Sequence, residues 1–103
     1  MPGLDGTDLL LDRFGRLAPP TYDVTVLTLP DDPAAGYPEL CDHFSETVAS
    51  AGKCTLIGES FSGPLAVLLA QRHPDAVDHL VLVATFVVSP VPFVACRLPW
   101  SLF

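Results

Sequence analysis

Apolar residues in this chain recur first every three to four positions and then in short unbroken runs, and the two patterns alternate as far as residue 88. Leu10, Phe14 and Leu17 fall at helical spacing with Asp12, Arg13 and Arg16 between them, which predicts an amphipathic helix. Thr7 can cap that helix, Asp8 suits its first turn, and Pro19-Pro20 ends it. Residues 22–29 are rich in β-branched side chains and read as a strand, closed by the turn Pro30-Asp31-Asp32-Pro33. Residues 37–51 return to helical spacing, with Leu40, Phe44, Val48 and Ala51 on one stripe and Gly52 as the stop.

Residues 54–58 form a short apolar strand, and a helix follows from just after Ser60 to about His73. Its middle, residues 65–70, is apolar all round and should be covered by other elements. Pro64 falls in its first turn, where a missing N–H costs nothing, and Pro74 ends it. Residues 80–88 are apolar on both faces, as in an interior strand of a parallel sheet. Alternating helices and strands predict an α/β layer fold with three mainly parallel strands and flanking helices. Residues 1–88 form the core unit and residues 89–103 a tail.

Half of the 103 residues are apolar, which excludes a disordered acidic tail. The net charge of −7 and the scattered cations Arg13, Arg16, Lys53, Arg72 and Arg97 exclude a nucleic-acid partner and an anionic lipid surface. No run is long enough to span a bilayer, and no secretory leader is visible, so a cytoplasmic location is expected. Cys41, Cys54 and Cys96 show no metal or redox spacing and read as small buried hydrophobes. No metal or cofactor is implied.

The chemistry concentrates in Gly58-Glu59-Ser60-Phe61-Ser62-Gly63, where an apolar strand turns directly into a helix. Such a turn pushes a serine hydroxyl out above a sheet, and the helix N-terminus stabilises negative charge developing there. The positions two before and two after the serine must be small, because strand and helix backbones nearly touch. Gly58 meets this fully; Ser62 stands where G-x-S-x-G has its second glycine, and Gly63 follows at once. A plain glycine-rich turn of a nucleotide-binding fold is the competing reading, but no G-x-G-x-x-G or GK[ST] is present. A second signal is the opening loop Pro2-Gly3-Leu4-Asp5-Gly6-Thr7. An oxyanion hole needs two N–H donors aimed at one point. The Phe61 amide is one candidate and the Leu4 amide the other, with Gly3 allowing close approach.

Together these motifs resemble the α/β-hydrolase family, in its branch with a "PGLDGTG" oxyanion loop and a "GESFSG" nucleophile elbow. Here they read Pro2 to Asp8, with Asp8 in place of the last glycine, and Gly58 to Gly63. Pro64-Leu65-Ala66 and Leu80-Val81-Leu82-Val83-Ala84-Thr85 look like the same branch, so the resemblance covers nearly the whole chain. It implies a serine esterase or thioesterase on small-molecule acyl substrates, with Ser60 as nucleophile, Leu4 and Phe61 as oxyanion donors, and Gly3, Gly58, Ser62 and Gly63 in support.

The resemblance also implies what to expect beyond these residues. The family's acid and histidine follow strands beyond residue 88, so the chain reads as a partial α/β-hydrolase fold truncated at both ends, inactive by itself. His73, Asp75, Asp78 and His79 lie at the wrong edge of the sheet for Ser60, His43 sits on a helix flank, and the side chain of Glu59 should point away from the serine hydroxyl. The tail, with Phe93, Trp100, Leu102 and Phe103, would lead into a lid and is expected to drive self-association. Met1 is expected to hold the last position of a strand lying between residues 22–29 and 54–58. The alternative to a hydrolase fragment is a non-catalytic binding or regulatory module.

Overall fold

A computed structural model of the chain describes Met1, residues 9–32 and residues 34–88. Three helices, α1 (Leu9–Leu17), α2 (Tyr37–Ser50) and α3 (Ser62–Arg72), accompany two strands, β1 (Cys54–Glu59) and β2 (Val77–Val83). The strands run parallel, with Cys54 opposite Val77 and Glu59 opposite Val83, and α3 is the crossover between them. α3 packs on both strands, and α2 packs on α3. The chain is therefore a small α/β unit.

Local chemistry sets these boundaries. The Gly36 N–H donates to Glu39 Oε2 at 3.0 Å at the start of α2. Gly52 takes φ +73° just beyond its end, a conformation that costs a glycine little. Leu40, Cys41, Phe44 and Val48 of α2 then meet Leu56 of β1 and Leu65, Ala66 and Leu69 of α3 in one core. Leu65 and Leu69 are fully enclosed, each contributing about 1.5–3 kcal/mol of burial.

Met1 joins this core through its backbone as well as its side chain. Its amino group donates to the Ile57 carbonyl at 3.0 Å, and its carbonyl accepts the Glu59 N–H at 3.3 Å. That exchange is a parallel ladder with Met1 opposite Gly58, on the edge of β1 away from β2. Met1 thus lies beside the end of β1, as the sequence expectation has it, but without the second flanking strand at residues 22–29 that the expectation also placed there.

Several expectations need correction. Residues 22–29 form no strand; Leu27 and Leu29 pack against the core, but no ladder joins the segment to β1 among the described residues. A β-branched run becomes a strand only beside a partner, and Met1 is the one described residue paired on that edge of β1. The sheet consequently has two described strands rather than three. The last described strand is Val77–Val83 rather than 80–88, and among the described residues it is an edge strand, with Leu80, Val81, Leu82 and Val83 exposed. On α1, Phe14 and Leu17 are exposed, because no described element covers that stripe. Leu68 and Ala51 are likewise exposed. Thr7, Asp8 and the tail lie outside the described residues.

Candidate functional site

Ser60 sits in the turn between β1 and α3 with φ +48°, left-handed backbone that costs a non-glycine residue roughly 1–2 kcal/mol. Three hydrogen bonds hold it there. Its N–H donates to the Val83 carbonyl at 3.0 Å, and its own carbonyl accepts the Gly63 N–H at 3.1 Å and the Thr85 hydroxyl. The side chain is half-buried.

The small residues around the turn are required by space. A Cβ on Gly58 would lie 2.8 Å from Ala66 Cβ, 2.9 Å from the Ser62 carbonyl oxygen and 3.1 Å from Gly63 Cα. Two of those atoms belong to the backbone and cannot step aside. A Cβ on Gly63 would run into Thr85, whose Cβ would be 2.6 Å away. Ser62 is fully buried between them. The close approach of strand and helix expected from the spacing is thus present.

Phe61 precedes the first residue of α3, where unpaired N–H groups and the helix dipole favour negative charge. Its N–H meets no backbone acceptor among the described residues. Its carbonyl accepts the Tyr37 hydroxyl at 3.0 Å, and the two rings stack with centroids 5.1 Å apart. Burial pushes the Tyr37 phenol above its ordinary pKa. Leu4 and Gly3 lie outside the described residues.

All three histidines are described, and the geometry keeps His73 and His79 from Ser60. His73 caps the far end of α3, with Nε2 2.5 Å from Ser45 Oγ of α2. His79 pairs with Thr55, five residues before Ser60 and so about 16 Å back along the strand. His43 is exposed on α2, its ring edge-on to Phe44 at 4.7 Å. Asp78 is tied to Lys53 at 2.9 Å, and Asp42 to Arg72 at 2.6 Å. Glu59 is half-buried near the Met1 amine. A shallow depression lined by Ala49, Gly52, Lys53, Asp75 and Ala76 lies at the start of β1, the end away from Ser60.

Val83 and Thr85 fall in the segment 80–85 quoted for the family resemblance and Tyr37 starts a predicted helix, but the sequence assigned none of them a contact at this turn. Each is remote along the chain from the residue it holds, and none sits in a motif that announces the contact.

No family model matches the chain, and no solved structure matches it. Over 53 residues, 48% of this chain, it is 40% identical to the biotin biosynthesis bifunctional protein BioHC of Teredinibacter turnerae. The match spans 9% of that protein's length. Among the described residues, no helix is long and apolar enough to cross a membrane.

Proposed function

We propose that the β1–α3 turn is the nucleophile elbow of a serine hydrolase of the α/β-hydrolase type, acting on carboxylic esters or thioesters. The observation that carries this reading is the left-handed Ser60 at the end of a parallel strand, directly before a helix N-terminus. Evolution has little reason to hold a serine there at a cost in strain when glycine fits better. The partial likeness to a bifunctional protein of biotin biosynthesis supports an enzyme relationship at a coarse level.

In the proposed reaction Ser60 Oγ attacks the acyl carbonyl carbon, forming the Oγ–C bond as its proton passes to a histidine base. The carbonyl electron pair moves onto oxygen, where the Phe61 N–H, and in our reading the Leu4 N–H, receive it. Collapse expels the alcohol or thiol, which takes the proton back from the base. Water then releases the acid by the same steps. Neither His73 nor His79 is placed to be that base and His43 is exposed on α2, so in our reading the acid and base of the reaction lie outside the described elements. The same observation favours the second reading, a binding module that keeps the hydrolase turn without turnover.

A fluorophosphonate probe with imidazole as external base tests the nucleophile elbow that both readings share. A hydrolase elbow gives a single adduct, abolished in Ser60→Ala, while p-nitrophenyl ester turnover stays at the Ser60→Ala level. No adduct at Ser60 after prolonged exposure overturns the hydrolase reading.

A further inference from the structure

The segment from Val83 to Thr85 grips both polar groups of the Ser60 backbone. Val83 C=O takes the Ser60 N–H, and the Thr85 hydroxyl donates to the Ser60 C=O. Between them Ala84 adopts φ +46°, a second left-handed non-glycine residue, and this kink is what turns Thr85 back toward the serine. Thr85 is also packed against Gly63, which has no side chain to displace it. A second carbonyl, that of Phe86, lies at a longer 3.4 Å from the same hydroxyl.

The Ser60 carbonyl and the Phe61 N–H belong to one peptide unit. A trans peptide is planar, and its C=O and N–H point in opposite directions. Fixing the carbonyl therefore fixes where the N–H points. Gly63 N–H and the Thr85 hydroxyl both bond that carbonyl, so the plane is held from two sides. Hydrogen bonds to the carbonyl also polarise the peptide and make its N–H a stronger donor.

We propose that Thr85 is a positioning residue: through the Ser60 carbonyl it aims the Phe61 N–H at the oxyanion of the tetrahedral intermediate formed on Ser60. This rests on the reading of Ser60 as a nucleophile. The Tyr37 hydroxyl secures the next carbonyl in the same way, so two hydroxyls hold two successive peptides at the helix start.

The test uses the 103-residue chain with a fluorophosphonate and imidazole. The Ser60 Oγ–P bond forms, the P–F bond breaks, fluoride leaves and the serine proton passes to imidazole; the phosphoryl oxygen occupies the oxyanion position. Thr85→Val removes the hydroxyl and keeps the branched shape. Its labelling rate is expected to fall about tenfold, short of the roughly 10²–10³ lost when an oxyanion donor itself is removed. Thr85→Ser is expected to restore the rate, and Thr85→Ala, which cannot overpack, to behave as Thr85→Val does. The ¹⁵N resonance of Phe61 should move in the valine variant and return in the serine variant, while the amides of Leu65 and Leu69 stay in place. Wild-type labelling rates in Thr85→Val or Thr85→Ala, with Ser60→Ala unlabelled, sink this proposal and leave the Ser60 reading standing. A slow rate that serine does not restore also overturns it. Equal labelling of wild type and Ser60→Ala, or none of either, removes both.

Discussion

Ser60 and Gly58 occupy opposite extremes of backbone tolerance. Ser60 holds a conformation made for glycine, and Gly58 a position where anything larger collides. Ser60→Gly relieves the left-handed strain, while Ser60→Ala keeps it and loses the same hydroxyl. The glycine variant is expected to be more stable than the alanine variant by about 1 kcal/mol, read from urea midpoints. Gly58→Ala must push the β1 and α3 backbones apart and is expected to cost about 1–3 kcal/mol, with loss of cooperative unfolding as the extreme outcome. An unchanged midpoint in Gly58→Ala contradicts the close packing described. The need for small residues at this turn was legible in the sequence, because G-x-S-x-S-G encodes it directly. The left-handed Ala84 was not: alanine carries no signal for positive φ, and only the grip of Thr85 on a residue 25 positions earlier explains it.

At the level of elements, the sequence reading succeeded where local pattern and partner agreed. α2, β1 and α3 fall at the expected residues because each has a capping or breaking residue and a face to bury. Residues 22–29 failed as a strand because strand propensity is a statement about fitting beside a neighbour. Their expected neighbour is the strand that Met1 ends, and among the described residues Met1 alone represents it beside β1. Pairing as a strand residue makes the Met1 ammonium an awkward occupant. Burial lowers its pKa below the ordinary range of a chain amine, against a smaller raising effect of Glu59. Between that lowered value and about 8, the unfolded chain keeps a proton that the folded chain has released. Stability should therefore rise with pH through that window and be lost as pH falls through it. Acetylating Met1 gives it a neutral strand-like N–H and should remove this slope while raising the urea midpoint at neutral pH. An unchanged pH dependence after acetylation counts against the buried amine.

For the molecule as a whole, the exposed face and edge belong to β2. Leu80, Val81, Leu82 and Val83 are 37–45% exposed along a strand that, among the described residues, has a partner on one side alone. Such an edge templates pairing with another chain. The chain is expected to elute above its 11.0 kDa monomer mass at micromolar concentration. Val81→Lys, which charges the edge, should shift it toward the monomer; equal elution of the two would contradict this. The other end of the parallel strands carries the turn on which the functional proposal depends, and a thiol tests that turn without needing a catalytic base. In Ser60→Cys, the helix start and the Phe61 N–H should stabilise the thiolate, as they would a developing oxyanion. Alkylation of the introduced thiol, followed against pH by peptide mapping, should give a pKa clearly below the roughly 8.5 of an ordinary cysteine, with modification far faster than at the buried Cys41. A pKa at or above the ordinary value, or an introduced thiol no more reactive than Cys41, would contradict the claim that this turn presents its side chain for nucleophilic chemistry.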